Sequence, residues 1–351
     1  MEEQEIRFTT AGRRRIAWAS SGSGPPLVLS GWWMANLELN WREPRFRAFV
    51  EAQGRHRTVI RYDPPGTGLS ADGAEHVADL AEEAAVLGAV IEAAGRGPVD
   101  LFAGSSGAPV GIAYAVEHSD RVGRLVLYGG YARGAEIADE RSRKAIVALV
   151  REHWGLGSRA LADVFMPGAD APERERFVEF QRRASSAEGA ARSLEAIYGF
   201  DVSARLVDVR PGAIVLHRRE DRAIPFALGR ELAAGLPDAT FIALDGADHF
   251  PWFGDSDQFL SVAFEALGIE ERPSPPPSRP APDTPIGAAE LTARETEILA
   301  LVASGLSDRE IAERLVLSPH TVHRHVANVR TKLGLPTRAA AVAAATQRGL
   351  L

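Results

Sequence analysis

From residue 27 onwards the chain alternates short, almost wholly apolar runs with longer stretches in which apolar residues recur every three or four positions. The runs at 27–30, 58–62, 99–102, 124–128, 213–216 and 240–244 are rich in Val, Ile, Leu, Phe and Tyr, and turn residues bound them. Such runs predict strands buried on both faces, and the helical stretches between them, such as 80–94 and 108–118, predict crossovers. That order makes a mostly parallel sheet covered by helices on both sides, an α/β architecture. Residues 132–205 break the alternation with mainly helical, charged sequence, which predicts a helical lid inserted over the sheet. The run Arg13, Arg14, Arg15 lies beside a predicted hairpin turn and reads as solvated surface.

At 351 residues the chain is about twice the usual domain length. Prolines crowd residues 271–286, where they remove backbone donors and hold extended conformations, so this stretch reads as a semi-rigid linker between a large domain, 1–270, and a small one, 287–351. The pattern after the linker is helical, with four segments and explicit punctuation. Thr292 with Glu295, and Ser307 with Glu310, each fit the capping box, in which a hydroxyl and a carboxylate satisfy the free N–H groups of a helix start. Gly305 ends the first segment, Ser318 caps the third with Pro319 at its first position, and Gly334 ends it. In this third helix Val322, Val326, Val329 and Leu333 share one face, which predicts burial. The other face carries His320, His323, Arg324, Ala327, Asn328 and Thr331, and a helix of this width fits the major groove of B-form DNA.

Charge sharpens that reading. The formal net charge of -7 by itself argues against nucleic acid. Yet residues 286–351 carry eight Arg or Lys against six Asp or Glu, and no acidic residue follows Glu313. A local basic surface on an acidic carrier is the footprint of a DNA-binding module. The absence of cysteine excludes disulfides, thiolate metal sites and a cysteine nucleophile. The acidic start at Glu2, Glu3 and Glu5 is unlike a signal peptide, and no apolar stretch is long enough to span a bilayer, so the expectation is a soluble, cytoplasmic protein with no membrane partner.

The segment from Leu291 to Leu299, then 305–312, then Leu317, Ser318, Pro319, His320, Thr321, Val322 and His325, then Lys332 and Leu333, resembles the LuxR-type helix-turn-helix over its whole length. The resemblance implies base-facing roles for His323, Arg324 and Ala327, phosphate contacts for Ser318, Thr321 and Lys332, and a packing role for His325. It also implies double-stranded DNA as partner, and a homodimer, since one short helix buries too little surface to select a site in a genome. RNA polymerase is a further candidate partner.

In the large domain the run at 99–102 leads through Ala103, Gly104, Ser105, Ser106, Gly107 and Ala108 into a helix. A serine at a sharp strand-to-helix turn among small residues is the pattern of a nucleophile elbow, where bulky neighbours would clash as the chain reverses. Asp221 and His249 each follow a later predicted strand, giving the order Ser, Asp, His. The chemistry needs His249 to accept the serine proton while Asp221 fixes its tautomer and stabilises the imidazolium. Asp248 is a rival acid, but side chains adjacent on an extended segment point apart, which favours Asp221.

Residues 5–268 resemble the α/β-hydrolase fold with a helical lid. The likeness rests on this elbow, on Tyr62, Asp63, Gly66, Gly68 and Ser70 in the turn after the second parallel strand, and on Gly246, Ala247, Asp248 and His249. Ser30, Gly31, Trp32 and Trp33 resemble the oxyanion loop, where the N–H of Trp32 would join that of the residue after the nucleophile. Both Ser105 and Ser106 fit the elbow. The family's usual distance to Ser119 selects Ser105, with Ser106 then completing the oxyanion hole and Ala103 standing where the family has glycine, which predicts crowding. The aromatic set Trp32, Trp33, Trp41, Phe250, Trp252 and Phe253 divides between core packing and an apolar ligand pocket.

Together these readings predict a DNA-binding transcriptional regulator whose α/β-hydrolase-fold domain senses, and is equipped to hydrolyse, a small ester, lactone or similar ligand. The alternative is a working serine ester or lactone hydrolase with an accessory DNA-binding domain. Neither metal nor organic cofactor is implied.

Overall fold

A computed structural model describes residues 4–30, 32–71, 78–95, 97–269, 291, 293–304 and 306–315, together with 322, 325–326, 329–330, 341–342 and 345. The chain divides into two compact units, Met1–Arg272 and Pro273–Leu351.

The large unit opens with a hairpin of β1 (Glu5–Ala11) and β2 (Arg14–Ser21), followed by β3 (Pro26–Ser30), the helices α1 (Leu37–Arg42) and α2 (Pro44–Gly54), and β4 (Thr58–Tyr62). Then α3 (Leu80–Ala93) leads to β5 (Val99–Gly104), α4 (Gly107–Glu117) and β6 (Val122–Tyr128). The final strands are β7 (Ala213–Arg218) and β8 (Ala239–Leu244), separated by α9 (Phe226–Gly235) and followed by α10 (Ser256–Ala266). The eight strands form one sheet in the order β1-β2-β4-β3-β5-β6-β7-β8. β1 pairs with β2, and β2 with β4, antiparallel; from β4 across to β8 every pairing is parallel. The inner strands are largely apolar because both sheet faces are buried, with α3, α4 and α9 against one cluster of the core and α2 and α10 against the other.

Parallel strands deliver their carboxyl ends to one edge, and a ligand crevice forms outside those ends. Here that edge collects Asp63 after β4, Ser105 after β5, Asp221 after β7 and His249 after β8. Between β6 and β7 the chain leaves the sheet for α5 (Glu140–Glu152), α6 (Trp154–Phe165), α7 (Ala171–Ala184) and α8 (Ala187–Gly199). These four helices lie within the stretch 132–205, where the sequence predicts an inserted helical segment. Asp139, Asp170 and Ser186 cap three of them, and at α7 the Asp170 and Glu173 side chains form a reciprocal capping box.

In the small unit α11 (Ala293–Ala303) and α12 (Asp308–Leu315) are the named helices among the described residues. Ser307 and Glu310 form the capping box expected for α12: the Ser307 N–H donates to Glu310 Oε2 at 2.7 Å, and the Glu310 N–H donates to Ser307 Oγ at 3.3 Å. Val322, Val326 and Val329 are helical and buried, the first two against Ile298, Val302, Ile311 and Ala312, the third against Leu299, Ala341 and Ala345. Thr292, Gly305 and Leu333 lie outside the described residues, as do Pro319 and Gly334.

Candidate active site and its cavity

The turn between β5 and α4 is built around one strained residue. Ser105 has φ 54°, and among the described residues it is the single non-glycine with positive φ. That conformation costs a β-carbon-bearing residue about 1–2 kcal/mol, so it persists only where the surroundings fix it. They do. The Ser105 N–H donates to the Tyr128 carbonyl on β6 at 2.8 Å, and the Ser105 carbonyl accepts from the Ala108 N–H at 3.0 Å. A β-carbon on Gly104 would lie 2.3 Å from the Trp32 indole, so glycine is required there. Ser106 sits at the N-terminus of α4, in ordinary helical backbone. The strained elbow position is therefore Ser105.

Ala103, where crowding was expected, is fully buried without distortion, because Gly111 on the facing side of α4 leaves room for its methyl group.

Asp221 and His249 meet in the loops after β7 and β8. His249 Nδ1 lies 2.7 Å from Asp221 Oδ2, and both side chains are buried. The other oxygen, Asp221 Oδ1, accepts from the N–H groups of Ala223 at 2.8 Å and Ile224 at 3.2 Å. Burial alone would push this carboxyl up, but the charge and hydrogen bond of His249 outweigh it and hold Asp221 below the usual carboxylate range. With Nδ1 committed to Asp221, the ring presents Nε2, which is buried and has no hydrogen-bond partner. His217 flanks the same carboxylate at 3.7 Å, with its own Nε2 2.9 Å from the Ile224 carbonyl. Burial lowers its affinity for a proton, so it packs beside Asp221 as a neutral ring.

Asp248, the rival acid, faces elsewhere. Its Oδ1 accepts from the N–H of Gly168 at 2.9 Å, just after α6 in the lid. The His249 N–H donates to the carbonyl of Phe165 at 2.8 Å, so two hydrogen bonds staple the lid to the histidine loop. Arg218, at the end of β7 and 1% exposed, holds that loop from below by donating to the carbonyls of Asp248, Phe250 and Phe253. Sequence reasoning missed this arginine. Its signal was a charge at the end of an apolar strand, where a guanidinium is tolerated only when its donors are satisfied.

Ser105 and His249 open into a cavity of about 250 Å³ between the sheet edge, the segment from Trp32 to Phe46 and lid helix α7. Trp32, Trp33, Phe165, Phe177, Phe250 and Trp252 form its apolar wall, and Phe165 stacks on the His249 ring at 5.5 Å between centroids. Phe253 also lines it, whereas Trp41 packs between Arg47 and Arg61. Trp32 stands edge-on to His249 at 6.1 Å, beside the elbow that Ser106 continues. Among the described residues no cluster of three or more His, Asp or Glu is placed to hold a metal ion. Ser318, Thr321, His323, Arg324, Ala327 and Lys332, the residues read for DNA contact, lie outside the described residues.

Residues 27–262 match the model of the alpha/beta hydrolase family, and residues 289–345 match the luxR family of bacterial regulatory proteins. Over 270 residues the chain is 29% identical to a 2-hydroxy-6-oxononadienedioate/2-hydroxy-6-oxononatrienedioate hydrolase of Paraburkholderia phymatum, covering 74% of this chain and 89% of that protein. Over 94 residues it is 41% identical to a Mycobacterium tuberculosis protein named as an HTH-type transcriptional regulator, covering 27% of this chain and 9% of that much longer relative. Among solved structures, the enol-lactonase of Burkholderia xenovorans superposes with a TM-score of 0.63 at 24% identity, covering 75% of this chain and all (100%) of that one. An esterase of Exiguobacterium antarcticum gives 0.66 at 19% identity, covering 74% and 98%. At these identities the structures speak for the fold. Among the described residues no helix is long and apolar enough to cross a membrane.

Proposed function

Because the chain belongs to the alpha/beta hydrolase family and ends in a DNA-binding domain of the luxR family, we propose that it is a transcriptional regulator whose hydrolase-fold domain receives a small-molecule ligand. The observation that carries this reading is the coexistence in one chain of a DNA-reading module and a preformed cavity of about 250 Å³ over an elbow serine. A diffusing catabolic enzyme has no use for the first, while a regulator needs an input, and a cavity supplies one through different ligand affinity in two states. In this reading the domains meet in the proline-rich stretch 271–286, and the regulator acts in the cytoplasm as a homodimer on two half-sites, with RNA polymerase as its downstream partner. His323, Arg324 and Ala327 read base edges while Ser318, Thr321 and Lys332 hold phosphate.

The same cavity is equipped for chemistry on its ligand. Ser105 Oγ attacks the carbonyl carbon of an ester or lactone as His249 Nε2 takes the hydroxyl proton, and Asp221 stabilises the imidazolium. The N–H groups of Trp32 and Ser106 receive the developing oxyanion, helped by the N-terminus of α4. His249 returns its proton to the leaving alcohol, and water then releases the acid by the reverse roles. A sensor of this kind resets itself by consuming its signal. The hydrolases among the relatives support this, as does the Asp221–His249 contact.

The test is hydrolysis of short and medium p-nitrophenyl esters by the full chain, by Ser105→Ala and by Ser106→Ala, together with selection of a preferred site from random DNA. Turnover lost in Ser105→Ala and retained in Ser106→Ala assigns the nucleophile. No turnover, but a selected site whose affinity a ligand changes, leaves a binding-only sensor. An active esterase with no preferred DNA site sinks the regulatory reading and leaves the enzyme.

A further inference from the structure

The cavity is not apolar throughout. Arg61, the fourth of five residues in β4, lines it together with Ser105 and His249 while being only 4% exposed. A guanidinium this deep is expensive unless something answers its charge and its five donors. Its hydrogen-bond and ring partners are neutral, and the nearest opposing charge, Asp63, acts on it from beyond ion-pair distance. One terminal nitrogen donates to the Gln4 amide oxygen at 2.5 Å, and the rings of Trp41 and Phe46 stand 4.9 and 5.5 Å from its central carbon. Its Nε is buried with no partner, and among the described residues no carboxylate stands within ion-pair distance of it. Burial, partly offset by the charge of Asp63, draws its proton affinity down to about 10, so it stays charged at neutral pH.

The remaining charges around the cavity tilt the same way. Asp63, two residues on along the chain, has turned its carboxylate onto the Leu69 N–H at 2.8 Å, and Glu43 caps α2. Glu173 pairs with Arg45 and Glu179 with Arg183. The exposed guanidiniums of Arg42 and Arg176 at the rim have no such partner among the described residues. Of these carboxylates only Asp63 keeps a buried oxygen, Oδ1, without a hydrogen-bond partner, while at the rim two guanidiniums are left over.

We propose that the cavity ligand carries a carboxylate, which Arg61 receives at the floor of the cavity while the ligand's ester or lactone carbonyl lies at Ser105. The ligand is thus an acyl compound with an anionic end, and the apolar wall contacts the chain between the two groups. The anion supplies the direct ion-pair partner that Asp63, acting only from beyond ion-pair distance, does not, and a planar guanidinium offers the donor fork that suits a carboxylate. Arg42 and Arg176 draw the anion to the mouth. This assignment rests on the reading of the cavity as the ligand site.

Calorimetry on the full chain carrying Ser105→Ala, which removes turnover, compares monomethyl adipate with dimethyl adipate. The expected result is at least tenfold tighter binding of the monoanion, the size of one charge-assisted hydrogen bond. Adding Arg61→Met abolishes the preference and adding Arg61→Lys restores part of it. Arg176→Ala, on the surface and safe for folding, weakens the monoanion two- to fivefold and leaves the diester unchanged, roughly as expected of a rim charge. Equal or tighter binding of the diester overturns the carboxylate assignment and leaves the cavity as a ligand site. Binding of neither overturns both.

Discussion

The methyl group of Ala103 faces the bare Cα of Gly111 across the β5–α4 packing: a β-carbon built on Gly111 would lie 2.9 Å from that of Ala103. The small residue that relieves the elbow has moved from the strand to the helix. In sequence the two positions are separate, so an alanine in place of the family's glycine looks like crowding.

Gly111→Ala is therefore expected to destabilise the large domain although it improves helix propensity. Propensity contributes up to about 1 kcal/mol, while overpacking a full core costs about 1–3 kcal/mol, so the packing term wins. Ala103→Gly in the same chain reopens the space and returns the melting temperature to the wild-type value or above. A double variant no more stable than Gly111→Ala alone would show that the two positions do not share this contact.

The two acids beside His249 have separable consequences. Asp221→Asn removes the carboxylate that orients the ring and is expected to lower the kcat of ester hydrolysis by a factor on the order of 10³ to 10⁴ with little change in melting temperature. Asp248→Ala breaks the bond to the Gly168 N–H and frees the lid, so it should raise KM more than it lowers kcat. Steady-state kinetics on one p-nitrophenyl ester decides, and a kcat collapse in Asp248→Ala would reverse the assignment.

Much of this site could be read from the chain because its signals are local. The elbow needs small residues within a few positions, parallel strands announce themselves as apolar runs, and Asp221 and His249 follow theirs directly. What escaped depends on distant partners. Arg218 reads as a solvated strand end until the carbonyls of Asp248, Phe250 and Phe253, some thirty residues later, are seen to close on it. Arg61 escaped for the opposite reason, since what gives it meaning is that among the described residues no acid stands within ion-pair distance of it in space. The role of α7 in walling the cavity with Phe177 was equally hidden, because a lid's docking depends on residues scattered from Trp33 to Phe250.

Asp63 gives the large domain a pH dependence of definite sign. Its carboxyl is fully buried, and burial, outweighing the N–H groups of Leu69 and Leu37 and the charge of Arg61, pushes its pKa up to about 7. The folded protein thus holds a proton there that the unfolded chain, with an ordinary pKa of about 4, has released. This contribution to stability is complete below about pH 4 and is lost as pH rises through 7, a swing of up to about 4 kcal/mol. Asp63→Asn keeps an acceptor for the Leu69 N–H and removes the titration. Urea midpoints at pH 5 and pH 8 should therefore lie closer together in Asp63→Asn than in wild type. An unchanged spacing would mean that Asp63 is ionised throughout.

The DNA-binding assignments separate by salt and by sequence. Arg324, read as a base contact, and Lys332, read as a phosphate contact, both carry a charge, so loss of affinity alone cannot tell them apart. Arg324→Ala should cost about 1–3 kcal/mol on the selected site and much less on random DNA, relaxing preference at one base pair. Lys332→Ala should weaken both DNAs alike and make the slope of log K against log salt shallower by about one per half-site. Fluorescence anisotropy on the two duplexes between 50 and 200 mM salt, a range over which phosphate contacts change affinity on the order of 10³-fold or more, resolves the difference. If Arg324→Ala weakens both duplexes equally, that arginine lies on the backbone, and base readout falls to His323 and Ala327.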